Sequence, residues 1–290
     1  MLKLKMPCGS NIILYWHAYL NFSSESFEQI LIKHIDLIDK RLKVCLKDTP
    51  MHSAAGVNNH MAISMLLKHG STSINAKDIN GDTPLHIATR SKSVDAVHTL
   101  LSSGCHVDIC NNNKMTAIHE ACKNNDIDVL SVFCECRKDM VNVVDDDGNS
   151  LIHLAIKYGH YHTVEILMQW GCKMINSKNK KGMHPLHQVL YIRDAPYTAY
   201  ITEILATWGC NIDQLDHNGY TPLDVALLSA PLKNMAVLLI ALGAYTKYKD
   251  DCHNYYRSLI LSEQEIADIR YRVYFARSLT SRLCFDPDIY

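Results

Sequence analysis

Apolar residues recur along the chain in short blocks at helical spacing: Ile63, Leu66 and Leu67; Val97, Leu100 and Leu101; Val164, Ile166 and Leu167. Steps of three and four place such side chains on one face, so each block predicts an amphipathic helix. A glycine follows in phase at Gly70, Gly104, Gly171, Gly209 and Gly243, while Arg137 holds the equivalent place once. Glycine there supplies the left-handed conformation that ends a helix. Upstream, Phe27, Ile30, Leu31, Ile35, Leu37 and Ile38 predict further helical structure. Near the far end, Ser262-Glu263-Gln264-Glu265 is a capping-box pattern that opens a predicted helix through about Arg277, with Ile266, Ile269, Val273 and Phe275 on it. The apolar stretch Leu223 to Ala244 carries Pro231, Lys233 and Asn234 in its middle. A membrane-spanning helix needs about 20 uninterrupted apolar residues, so two short helices around a turn are expected instead.

A four-residue motif repeats in phase with these blocks. It reads Thr49-Pro50-Met51-His52, Thr83-Pro84-Leu85-His86, Thr116-Ala117-Ile118-His119, Ser150-Leu151-Ile152-His153, His184-Pro185-Leu186-His187 and Thr221-Pro222-Leu223-Asp224. The starts at 49, 83, 116, 150, 184 and 221 are 34, 33, 34, 34 and 37 residues apart. Asp-x-x-Gly turns precede three of the motifs, at Asp78 to Gly81, Asp145 to Gly148 and Asp216 to Gly219. Thr or Ser caps the first helix, and proline suits its first turn, where a missing N–H costs nothing. A period of this length with this motif resembles the ankyrin repeat family over about residues 48–244.

The resemblance implies an all-α, ankyrin-repeat solenoid of six to seven helix-turn-helix units, with β-hairpin-like finger turns and helical caps. Residues 1–47 are expected to form a helical cap or degenerate repeat, 48–244 the repeat domain and 245–290 a helical tail. Stacked units supply the core and leave an extended concave surface without an inherent active-site pocket. In this family the motif histidine bonds neighbouring backbone and the motif hydroxyl. That implies a structural role for His52, His86, His119, His153 and His187, five of the sixteen histidines. Departures are informative too. The third repeat has Lys114 and Arg137 where glycines are expected, and its second helix is predicted to be the least regular. The fifth repeat has extra residues near Asp194 to Tyr197, and the sixth replaces histidine with Asp224.

Composition narrows the function. The 290 residues are 48% hydrophobic and 20% charged, which suits a folded chain rather than disorder. With 29 Lys and Arg against 30 Asp and Glu, the basic footprint of a nucleic-acid binder is missing. The 11 cysteines are scattered, which reads as reduced thiols in an intracellular, cytoplasmic or nuclear setting. Cys105, Cys172 and Cys210 each follow a repeat glycine and read as small buried residues. Cys134-x-Cys136 falls short of zinc-ligand spacing and has no partner pair, so no metal is expected. The apolar run after Met1 is interrupted by His17 and lacks a small-residue cleavage pattern, which argues against a signal peptide. Phosphate-binding loop, nucleophile-elbow and kinase signatures do not occur, so neither enzymatic activity nor a cofactor is expected.

The expected role is therefore recognition of another protein, without nucleic acid or membrane insertion; the sequence sets no oligomeric state. Trp170 and Trp208 precede the end glycines of successive repeats, either to stack along the array or to act as a pair of anchors. Tyr158, Tyr191, Tyr197 and Tyr200 lie in the same two repeats, and Lys178, Lys180 and Lys181 make their shared finger basic beside the acidic Asp145-Asp146-Asp147 finger. These residues form the predicted contact surface. An alternative is a ubiquitin-ligase substrate adaptor, since Ala276 to Cys284 faintly resembles the opening of a SOCS box. Asn75, Asn142 and Asn176 occupy the finger slot that asparaginyl hydroxylases modify in some family members.

Overall fold

The computed structural model describes residues 24–34, 38–39, 48–192, 197–228 and 233–245, with single helical positions at Gln264, Ala267, Tyr271 and Tyr274. The expectations for the first 23 residues, the 193–196 insertion and the SOCS-like segment lie outside the described residues. So does most of the predicted tail helix.

After α1 (Ser24–Lys33) come six helix pairs among the described residues. They are α2 (Pro50–Gly56) with α3 (His60–Lys68), α4 (Pro84–Arg90) with α5 (Val94–Ser102), and α6 (Ala117–Lys123) with α7 (Ile127–Cys136). Then follow α8 (Leu151–Lys157) with α9 (Tyr161–Gln169), α10 (Pro185–Tyr191) with α11 (Thr198–Thr207), and α12 (Pro222–Leu228) with α13 (Lys233–Ala241). The chain divides into two compact units, Met1–Met140 and Val141–Tyr290. In the first unit α4 packs between α2 and α6, while α3 packs between α1 and α5, and α5 against α7. In the second, α10 packs between α8 and α12, and α11 between α9 and α13. First helices thus layer on first helices and second on second.

The apolar pattern explains this layering. Ile63, Leu66, Val97, Leu100, Val164 and Leu167 are fully buried. Leu67 and Ile166, one step off that face, are half-buried. Removing a Leu or Ile side chain from water contributes roughly 1.5–3 kcal/mol, and no two-helix unit achieves it alone.

The finger turns are built from one side chain each. Asp78 Oδ1 accepts the N–H groups of Asn80 and Asp82 at 2.7 and 2.8 Å. Asn111, Asp145, Asn179 and Asp216 repeat the same two bonds, to the residues two and four positions on. Among the described residues the only β feature is the single bridge Val144–Ser150. Gly182, at φ +75°, shows why a finger needs glycine: an added Cβ would lie 2.4 Å from the Cβ of His217. In the third finger Lys114 takes φ +60° itself, a backbone that costs a non-glycine residue roughly 1–2 kcal/mol.

The third repeat corrects an expectation. Its second helix, α7, is a continuous 10-residue helix with Phe133 fully buried, not an irregular one. Without a glycine to turn the chain, Arg137 leaves the helix at φ −144°, and the irregularity falls after it, in a 3-10 segment over Lys138–Asn142.

A second tie, not read from the motif, joins consecutive repeats. The side-chain oxygen of Asn75 accepts the His106 N–H at 2.8 Å, Asn142 that of Lys173 at 2.8 Å and Asn176 that of Asn211 at 2.9 Å. Asp213 holds Tyr245 in the same way, and Asp39 holds Thr72. The three asparagines considered for hydroxylation therefore each clamp the next repeat's backbone.

Candidate partner-binding surfaces

The predicted contact residues of the second unit fall into two groups at opposite ends of the first helices. Tyr158 and Tyr191 sit at the helix end away from the finger, where α8 turns into α9 and α10 toward α11. They are 38% and 54% exposed, and Tyr200 on α11 is 44% exposed. The ring of Tyr161 meets Tyr200 edge-on at 5.5 Å and His162 at 4.2 Å, while Tyr158 stacks with His160 at 6.1 Å. The Lys157 ammonium lies 5.6 Å from the Tyr158 ring centre. Tyr197 is partly spent on packing: its ring rests on Gly159, where an added Cβ would come within 2.5 Å of it. Trp170 and Trp208 end α9 and α11, are half-buried, and form no ring pair with each other.

Lys178, Lys180 and Lys181 lie at the finger end, separated from the tyrosines by the seven residues of a first helix, about 10 Å of rise. All three are exposed. The Lys180 ammonium bonds the Asp146 carbonyl and its N–H bonds the Asp147 carbonyl at 2.9 Å. Among the described residues no ion pair joins these lysines to the three aspartates, so the basic finger docks through backbone rather than through charge pairing.

The first unit holds a polar cleft that the sequence did not flag. Its centre is Arg90, at the end of α4. One guanidinium nitrogen reaches Asp82 Oδ2 at 2.9 Å and another reaches Glu120 Oε1 and Oε2 at 3.0 and 3.1 Å. Beneath them the Asn111 amide donates to both Asp82 and Glu120 at 2.8 Å. These carboxylates are almost fully buried, and their bonds push the Arg90 pKa upward, Asp82 contributing most. Glu120 follows its motif histidine by one residue, and Arg90 precedes the turn to α5. Neither position carries a pattern that a single sequence reveals.

The motif histidines are built into the frame. The N–H of Thr49 donates to His52 Nδ1 at 3.2 Å and its hydroxyl lies at 2.9 Å. A backbone N–H only donates, so Nδ1 is the acceptor and the proton sits on Nε2, which donates to the Asp82 carbonyl at 3.0 Å. His86 makes the same bonds with Thr83 and Met115, and His153 with Ser150 and Met183. His119 shares the Thr116 half of the pattern. Burial is the main cause that lowers the pKa of His52 and His86, and it brings His153 down to about 4. In the fifth repeat His184 replaces the hydroxyl; His187 Nε2 donates to the Tyr220 carbonyl, but Nδ1 is buried without a hydrogen-bond partner. The His52, His86 and His153 clamps each tie a cap in one repeat to the finger of the next.

A family profile described as ankyrin repeats (3 copies) matches residues 14–111 and 95–178, more than half of the chain. The chain belongs to the ankyrin repeat family. It is 26% identical over 207 residues to the human transient receptor potential cation channel subfamily A member 1, covering 69% of this chain and 18% of that protein. It is 25% identical over 228 residues to the mouse B-cell lymphoma 3 protein homolog, covering 77% and 50%. The chain thus spans half or less of the length of these relatives. The crystal structure of the ankyrin repeat domain of Bcl-3 superposes with a TM-score of 0.65 at 21% identity, over 73% of this chain and 92% of that one, which shows the shared fold.

Within the ankyrin repeats Cys105, Cys122, Cys134, Cys172 and Cys210 sit as small core residues, while Cys110 and Cys136 are half-buried. Cys105, Cys172 and Cys210 are 4%, 4% and 6% exposed, and burial pushes the Cys105 thiol up to about 12 and Cys172 up to about 11. Among the described residues no group of three His, Cys, Asp or Glu is placed to hold a metal, and no helix is long and apolar enough to cross a membrane.

Proposed function

We propose that this ankyrin repeat chain is a non-enzymatic recognition scaffold that binds another protein through repeats four and five. The observation that carries the reading is the set of exposed rings on those repeats, Tyr158, Tyr191 and Tyr200, beside the Tyr161–Tyr200 edge contact. Tyrosine is enriched at binding hot spots, because a ring offers large contact area at little entropic cost. Tyr197, held on Gly159, backs the patch with rigid aromatic surface, while half-buried Trp170 and Trp208 lie at the other ends of α9 and α11 as separate anchors. At the finger end Lys178 and Lys181 set selectivity and speed association, effects that fade as salt rises. The near-zero net charge favours a protein over a nucleic acid as partner, and buried free thiols suit a reducing compartment, the cytoplasm or nucleus. The segment before residue 48 serves as a further, degenerate repeat: α1 packs on α3 as α3 packs on α5, and Asp39 repeats the Asn75 clamp.

The test is a mutant series against a partner captured from native cells. Tyr158→Ala with Tyr200→Ala is expected to weaken it at least tenfold, anchors of this kind contributing about 2 kcal/mol or more. Melting should stay nearly unchanged, since the rings are exposed. Unaltered affinity with these changes would move the surface elsewhere on the chain.

A further inference from the structure

The cleft of repeats two and three, about 330 Å³ in volume, plays no part in the tyrosine surface. Its size and lining point to a ligand class. The guanidinium of Arg90 is fixed between Asp82 and Glu120, yet 44% of its side chain stays open. Asp82 and Glu120 balance Arg90 and Lys123, so the four charged side chains of the lining sum to zero. At the rim, the carboxamides of Asn113 and Asn124 are exposed and bond to no other described residue.

Three occupants fit poorly. An acidic group would meet two carboxylates that already neutralise Arg90. A basic group would meet Arg90 and Lys123 first, because the Asp82 and Glu120 side chains are only 1% and 9% exposed. An aliphatic side chain would bury amides and a guanidinium without returning a hydrogen bond, which is costly. An aromatic ring escapes all three objections. A guanidinium is planar and weakly hydrated, and it stacks on aromatic faces while its edges stay bonded to carboxylates. The rim carboxamides each present one donating and one accepting group, the complement of a peptide unit.

We propose that this cleft binds an aromatic side chain carried on an extended segment of a partner protein. The ring stacks on the Arg90 guanidinium, and the segment's main chain pairs with Asn113 and Asn124. The assignment rests on the reading of the chain as a protein-recognition scaffold and adds a second site with its own ligand chemistry.

The probe is a display library of random short peptides panned on the full chain, followed by affinity measurements on the enriched peptides. Those peptides are expected to share one Trp, Tyr or Phe flanked by uncharged residues. Arg90→Lys keeps the charge but loses the plane, and should weaken them about tenfold or more. Because that change also disturbs two buried carboxylates, Asn113→Ala with Asn124→Ala provides an independent arm; both residues are exposed, and the loss should be several-fold with unchanged melting. Tyr158→Ala with Tyr200→Ala should leave these peptides bound. Enrichment of acidic or basic peptides, failure to enrich any, or affinity indifferent to both cleft variants would overturn the assignment. Peptides sensitive only to the tyrosine variants would overturn it as well, while leaving the proposed function in place. Aromatic peptides lost with the cleft variants, beside a cellular partner indifferent to Tyr158 and Tyr200, would uphold the cleft and sink the tyrosine surface.

Discussion

Acid should weaken this fold well before its carboxylates titrate, and His153 allows the size to be worked out. In the folded chain its Nδ1 accepts from the Ser150 N–H at 3.2 Å, so a second ring proton would face a donor rather than a lone pair. Burial is the main cause of a folded pKa of about 4 against an ordinary 6.5; the bond to the Met183 carbonyl opposes it and the nearby His184 adds to it. The unfolded chain takes up that proton as pH falls below 6.5, whereas the folded chain does not until about 4. More protons are bound unfolded across this window, so stability is full above it and is lost as pH falls through it. The gap between 6.5 and about 4 corresponds to roughly 3 kcal/mol from this one ring. His52, His86 and His187 are shifted the same way and add to the slope. The assay is urea unfolding at a series of pH values across that window, on the native sequence and on His153→Gln. The native chain should lose stability steeply as pH falls, and the variant's slope should be shallower by up to about 1.4 kcal/mol per pH unit. Identical slopes would refute the claim that burial holds His153 neutral in the fold.

Three further outcomes follow from the same geometry. Gly182→Ala should cost about 2 kcal/mol or more, since its Cβ would strike His217, whereas Gly209→Ala, at φ +79° with nothing within 4 Å, should cost only the backbone term of about 1 kcal/mol; equal losses in urea unfolding would contradict the close approach. Lys114→Gly should stabilise the chain by about 0.5–1 kcal/mol by relieving φ +60°, read as a higher urea midpoint. Reductant should leave melting unchanged and metal analysis should find substoichiometric zinc, because the buried thiols fill core positions; one tightly held zinc per chain would overturn that assignment.

The fold was legible because most repeats write the same physical requirements in residues: a cap, a proline, a buried histidine, a left-handed stop. The Thr–His clamps are local, three residues apart, and so announced themselves in the motif. The clamp from Asn75 to His106 joins residues 31 apart through a backbone N–H, which leaves no trace in the identity of the receiving residue. Irregular placement was harder to read. Loss of a glycine at 137 signalled a departure but not where it would fall, and the helix proved sound while its exit did not. The contact candidates share residue type and two repeats, but not a position along a helix. Composition holds no information about the two ends of a helix, so nothing in it separates Tyr158 from Lys180, although α8 and α10 set such positions apart. The Arg90 cleft was invisible for a related reason. Its members come from two repeats and a finger, and only the layering of α4 on α6 brings them together.

Hydrogen exchange of the full chain, alone and bound to its captured partner, tests the central claim most directly. Binding is predicted to slow exchange at the turn from α8 into α9, around Tyr158 to Tyr161, and at the start of α11, around Tyr197 to Tyr200. Slowed exchange confined to Met1–Met140, with those turns exchanging as in the free chain, would contradict it.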